Sequence, residues 1–184
     1  MVKIAFVGAF ASRLVEPVRS CLTVPHEIIV ADELGILPQI GDVDVLVSLG
    51  FSPEMGKAAR RLKLVQVPGA GLDRIDRTAL PAGASLANAY GHETGISEYV
   101  IGAMLFLTRN FGRLDAKLRQ GVWESPWAVG TPAPALWQEL AGKTVGILGY
   151  GRIGQAVARR ALAFEMGVCA IRRNAEQSPA SWMS

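Results

Sequence analysis

The chain has 184 residues, half of them apolar and 19% charged, with 20 glycines and a formal charge of +3. This is the composition of an α/β protein long enough for one full domain and part of another. The mild positive charge lacks the long runs and aromatic interleaving of a nucleic-acid surface, and no apolar stretch nears the roughly 20 residues that cross a bilayer.

The N-terminal MVKIAFVGAF carries one lysine before an apolar run too short for a signal peptide, so residues 3–7 read as a first strand. Residues 12–20 predict a helix despite Pro17, residues 27–30 a second strand and residues 43–49 a third. Ser52 is placed to cap a helix with Pro53 at its first position, running to Leu62. Strands follow at 64–67 and 85–88, the first ending in Pro68-Gly69-Ala70-Gly71. This βαβα rhythm implies a parallel sheet with helices on both faces, which binds ligands beyond the carboxyl ends of its strands. The PGAG turn permits backbone amides to form an anion nest suited to a carboxylate, although by itself the turn is read as a plain strand-to-helix connection.

Beyond Asn88 the pattern changes. His92-Glu93-Thr94-Gly95 leads into a helix over 97–111, with Ser97 as N-cap and Glu98 in its first turn. That helix is apolar on more than one face, and residues 118–143 add Trp123, Trp127 and Trp137 among three prolines. Large aromatics of this kind bury against something, and a second copy of the chain is the candidate, which makes a homodimer the expected state. Cys21, at a helix end, and Cys169, in a strand expected to be buried, read as packing residues in a cytoplasmic protein, and no metal-ligand spacing occurs.

Residues 143–174 carry the strongest signal: an apolar strand at 145–148, then Gly149, Gly151 and Gly154 in a GxGxxG pattern, an amphipathic helix and a second strand. The first glycine permits the tight turn, the second lets backbone amides approach a pyrophosphate, and the third lets helix and strand pack closely. Ile153, Val157, Ala161 and Phe164 recur at helical spacing, and Gly167 stands where a C-cap is expected. At the end of the second strand, where NAD-selective domains place an acidic residue for the ribose hydroxyl, the chain has Arg172, Arg173 and Asn174. A guanidinium cannot accept from a hydroxyl but pairs with a 2′-phosphate, so NADP is expected over NAD. A complete doubly wound domain needs about 150 residues, so the expectation here is a domain cut short.

Four linked segments, LKLVQVPGAGLDRID, NAYGHETGISEYVIGAMLFLTR, QGVW and ELAGKTVGILGYGRIGQAVARRALAFEMGV, resemble the D-isomer-specific 2-hydroxyacid dehydrogenase family in order and spacing over nearly the whole chain. The resemblance implies a flavodoxin-like parallel-sheet substrate domain over 1–95, lacking its C-terminal return, then over 96–184 an interdomain helix, a dimer arm and the first β-α-β of a Rossmann domain. It implies that the amides around Ala70 and Gly71 hold the carboxylate of a small 2-keto or 2-hydroxy acid. Gly149, Gly151, Arg152, Ile153 and Gly154 would hold the cofactor pyrophosphate. Ser97-Glu98 stands where the family usually has Ala-Glu. The family's catalytic arginine, carboxylate and histidine lie downstream of Ser184, so no catalytic residue can be assigned and the chain alone is expected to be inactive. His92, in the loop where the two domains meet, remains a weak substrate-contact candidate, and a truncated nucleotide- or partner-binding relative remains the alternative.

Overall fold

A computed structural model describes residues 1–124 and 137–172. The apolar runs of the first half become β1 (Val2–Val7), β2 (His26–Ala31), β3 (Val45–Ser48), β4 (Leu64–Val67) and β5 (Ser85–Asn88). They pair in parallel in the order β2-β1-β3-β4-β5, the flavodoxin-like arrangement, within a unit spanning Met1–Tyr90. Alternate residues of β1 feed two cores. Ala5 and Val7 join Ile36, Ile40, Leu46 and Met55 on one face, while Ile4 and Phe6 join Ala11 and Val15 on the other. A sheet covered on both sides needs apolar residues at every position, which is why these strands read as continuous runs and not as alternation.

The helices depart from expectation in their boundaries. The helix expected over 12–20 is two, α1 (Ala9–Ser12) and α2 (Val15–Arg19). Pro17 has no N–H to continue a helix from upstream but fits the first turn of a new one, so the chain restarts at Val15. The helix α3 (Pro53–Ala58) has Ser52 as its cap, the hydroxyl accepting from the Met55 N–H at 3.3 Å, yet it stops short of Leu62.

At the opposite edge of the sheet from the strand carboxyl ends, Asp44 is a buried carboxylate. One of its oxygens accepts from the Lys3 N–H at 3.0 Å, and the other lies 3.1 Å from Lys63 Nζ and 3.4 Å from Arg61. Its backbone N–H donates to Lys3 and its carbonyl accepts from Lys63, so one residue ties the starts of β1, β3 and β4. The Lys3 N–H first, then Lys63, hold its pKa at about 2 against the 3.8 of a free carboxyl.

A second unit, Gly91–Ser184, contains α4 (Glu93–Thr108), α5 (Phe111–Arg119), β6 (Thr144–Leu148), α6 (Arg152–Ala163) and β7 (Gly167–Ile171), with β6 and β7 paired in parallel. The sequence expects α4 to begin at Ser97. It begins four residues earlier, with Glu93 and not Glu98 in the first turn, and Ser97 is fully buried, its hydroxyl donating to the Thr94 carbonyl at 2.8 Å. The capping preference of serine gives way here to its small size inside a packed helix.

Gly167 is not the C-cap of α6 but the first residue of β7. The left-handed position is taken by Glu165, with φ 58, while the Glu165 N–H donates to Leu162 and the Met166 N–H to Ala161. These are the two bonds of a Schellman ending, and Met166 packs with Ala161 and Leu140 beneath it. The face that α6 buries runs through Gly154, Val157, Ala158 and Ala161, whereas Ile153 and Phe164 are partly exposed.

Cys21 and Cys169 are both exposed, contrary to the packing role expected of them. Cys169 lies on the face of β6 and β7 that also carries Leu148 and Ile171, and among the described residues nothing covers that face. Trp123 and Trp137 are exposed as well, and with Phe111, Leu114, Leu118 and Val122 they line a groove of about 470 Å³ along α5. Trp127 and Arg173 lie outside the described residues.

Candidate functional site

The glycine turn between β6 and α6 has the geometry its sequence demands. Gly149 sits at φ 98, where an L side chain would be strained, and its N–H donates to the Ile171 carbonyl at 2.9 Å, closing the turn against the end of β7. A Cβ built on Gly154 would stand 2.4 Å from the Gly149 carbonyl oxygen and 3.1 Å from Ile147, so only glycine lets α6 lie this close to the strand. A Cβ on Gly151 would meet nothing within 4 Å. Gly151 is also the N-cap of α6 and offers no capping side chain for the first N–H groups of the helix. Steric demand makes Gly149 and Gly154 glycine, while access is the reason left for Gly151. Such an N-terminus, with no acidic residue in its first turn, suits an anion of the size of a phosphate.

Side chains around the turn are charged. Arg152 opens α6 and lies 4.0 Å from Glu93 Oε1, the first residue of α4. The other Glu93 oxygen accepts from the Gly91 N–H at 2.8 Å. The N–H of Glu93 itself, then that of Gly91 and the charges of His92 and Arg152, hold this carboxyl below its ordinary value. Sequence reasoning missed Glu93, because only the packing of α4 along α6 brings it to the turn. Arg172 follows directly on β7, whose last residue Ile171 pairs with Leu148. Burial raises the pKa of the Tyr150 phenol inside the turn, and the charges of Arg159 and Arg172 oppose that rise.

In the first unit the PGAG turn follows β4 at the carboxyl end of the sheet. Neither Gly69 nor Gly71 has a positive φ, so the alternating αR–αL nest expected of two glycines does not form. The turn is pinned from β5: the Ala89 N–H donates to the Gly69 carbonyl at 3.0 Å, and Asn88 Nδ2 donates to the Ala70 carbonyl at 2.9 Å. The N–H groups of Ala70 and Gly71 meet no acceptor among the described residues, which leaves two donors for an external anion. His26, at the amino end of β2, engages the Val24 carbonyl through Nδ1 at 2.8 Å and lies at the wrong end of its strand for this site. His92 is exposed, occupies the N-cap position of α4 and makes no side-chain cap.

Comparison with known proteins adds an independent line. Residues 101–182 match the family model described as "D-isomer specific 2-hydroxyacid dehydrogenase, NAD binding domain". A hydroxypyruvate reductase of Thermotoga maritima is 35% identical over 152 residues, 81% of this chain and 47% of that protein. A glyoxylate reductase of Thermofilum pendens is 33% identical over 138 residues, covering 72% of this chain and 40% of the relative. Among solved structures, the 2-hydroxyacid dehydrogenase of Ketogulonicigenium vulgare Y25 superposes with a TM-score of 0.71 at 27% identity, over 96% of this chain and 57% of that one. The chain therefore spans about half the length of the proteins it matches. With its flavodoxin-like sheet, its glycine turn and these relatives in agreement, the chain belongs to the D-isomer-specific 2-hydroxyacid dehydrogenase family.

Proposed function

We propose that the chain is part of an NAD(P)-dependent oxidoreductase that interconverts a small 2-keto acid and its D-2-hydroxy acid, with NADP preferred. The observation that carries this reading is the glycine turn, closed by Gly149, packed through Gly154 and open at Gly151. Gly149, Gly151, Arg152, Ile153 and Gly154 hold the pyrophosphate, through the first amides of α6 and the Arg152 guanidinium. Arg172, with Arg173 beyond it, takes the 2′-phosphate. The bound nicotinamide supplies the hydride acceptor or donor, and the substrate carboxylate sits on the amides of Ala70 and Gly71, with His92 as a further contact. No helix among the described residues is long and apolar enough to cross a membrane. The protein is proposed to be cytoplasmic, with no nucleic-acid partner.

Binding measurements test the cofactor assignment. By calorimetry, NADPH is expected to bind about tenfold more tightly than NADH, as one added charge-assisted phosphate contact provides. Replacement of Arg172 by glutamine should reduce the difference, whereas tighter binding of NADH by the unaltered chain would refute it.

A homodimer is the proposed assembly. Its support is the uncovered apolar surface of Tyr99, Phe106 and Leu107 on α4 and of Phe111, Leu118 and Trp123 on and after α5. Light scattering at micromolar concentration is expected to give twice the chain mass, and a monomer alone would count against the pairing. The second reading is a relative that binds nucleotide without turning substrate over.

A further inference from the structure

The Pro68-Gly69-Ala70-Gly71 turn is held by two donors from β5 and the residue after it, and both act on carbonyls. The Ala89 N–H donates to the Gly69 carbonyl at 3.0 Å, and Asn88 Nδ2 donates to the Ala70 carbonyl at 2.9 Å. In an extended strand successive carbonyls point to opposite edges, so the backbone of one neighbouring strand reaches only every second one. The backbone beyond β5 serves Gly69 in this way, and a side chain draws the Ala70 carbonyl to the same side. The peptides are trans, which sets each N–H opposite its carbonyl across the bond. Holding the Gly69 and Ala70 carbonyls towards β5 therefore turns the N–H groups of Ala70 and Gly71 away from it, on one side. Two donors are aligned in this way with no residue of the turn at positive φ.

Asn88 is itself fixed. It is the last residue of β5, paired with Val67 and half-buried, and Tyr90 Oη accepts from its Nδ2 at 3.2 Å. A carbonyl only accepts, so the contact with Ala70 settles which end of the Asn88 amide faces the turn. The charged neighbours of the turn leave the amides to do the binding. Asp73 Oδ2 would stand 3.4 Å from a Cβ on Gly71 and disfavours an anion there, and Arg74, the basic residue nearest along the chain, is engaged by Glu33 at 2.7 Å. The hold on an anion at this turn therefore rests on two N–H groups meeting it together.

We propose that Asn88 is a positioning residue for the substrate carboxylate: its side-chain amide sets the plane of the Ala70–Gly71 peptide and so aims the second of the two donors. The inference rests on the reading of this turn as the carboxylate site. Asn88 acts through the Ala70 carbonyl and not on the substrate itself. The N–H of Ala70 is aimed by a backbone bond that no replacement of Asn88 removes, so the two donors are separable.

The test is an amide-resolved NMR titration of the 184-residue chain with pyruvate, against sodium chloride of equal ionic strength. In the unaltered chain the Ala70 and Gly71 signals are expected to shift together on one binding curve. In Asn88→Ala the Kd is expected to rise about tenfold, as the loss of one hydrogen bond to a charged group provides, with the Gly71 shift falling relative to the Ala70 shift. A role in packing alone would lower both shifts in proportion. Asn88→Leu keeps the volume of the side chain without its donor, is expected to behave as the alanine variant does, and replaces it should Asn88→Ala fold poorly. Unaltered affinity in either variant, or a proportional fall of both shifts, would overturn the positioning role while leaving the carboxylate site in place. If pyruvate shifts neither amide in the unaltered chain, the reading of the turn as the carboxylate site fails, and the role of Asn88 fails with it.

Discussion

Supplied with NADPH and glyoxylate, pyruvate or hydroxypyruvate, the purified 184-residue chain is expected to show no turnover at an ordinary enzymatic rate of about 1 s⁻¹ or more. Among the described residues the nucleotide-binding unit has two strands and one packed helix at its glycine turn, which is enough for a phosphate and too little to hold a dinucleotide along its length. Alignment of two reactants is worth about 7–11 kcal/mol at best, and a positioned proton donor a further 10² to 10⁴ in rate. Neither histidine is expected to serve as that donor. His26 is at the amino end of its strand, and His92 is an exposed residue at the start of α4. Absorbance at 340 nm follows the reaction directly. Turnover at an enzymatic rate would assign the acid's work to His92 or to another group within these residues.

Replacement of Asp44 by alanine is expected to cost the first unit about 2–4 kcal/mol, measured by urea unfolding. The loss removes the acceptor for the Lys3 N–H and the counter-charge for Lys63 and Arg61 at once. It stays below the cost of breaking a pair buried on both sides, since the side chains of Lys63 and Arg61 are 75% and 55% exposed and rehydrate easily. A pH dependence follows with a definite sign. The folded-state pKa of about 2 lies below the ordinary 3.8, so the ionised carboxylate stabilises the fold fully above the unfolded value. That contribution, about 1–2 kcal/mol after allowance for the exposed partners, is lost as the pH falls from about 4 towards 2. The alanine variant should therefore lose less stability than the unaltered protein over that window. Parallel curves for the two proteins would mean that Asp44 carries no net electrostatic stabilisation.

How far the sequence alone reaches is visible in particular residues. The strands β1, β4 and β5 and the cap at Ser52 were legible because the forces behind them are local: a sheet covered on both faces asks for unbroken apolar runs, and an N-cap is satisfied within four residues. The glycine turn was legible for the same reason, since positive φ at Gly149 and the missing Cβ at Gly154 are demands of backbone geometry that no other residue meets. Family membership rests on the resemblance of the four linked segments and on the matched relatives.

Competition between local preference and packing decided the rest. Ser97 has the side chain of a cap and became a buried helix residue, and Glu165 took the left-handed position expected of Gly167 because the strand β7 claimed that glycine, whose Cβ would press on Thr144. Cys169 sits in a strand of apolar character and is exposed, since burial depends on what covers a sheet and not on the strand itself. The amides of Ala70 and Gly71, without an acceptor among the described residues, depend on Asn88 and Ala89 holding the turn from a neighbouring strand. The meeting of Glu93 with Arg152 depends on two helices lying in parallel. Contacts of this kind join residues distant along the chain, and their energies exist only once the fold has paired them, so no local pattern announces them.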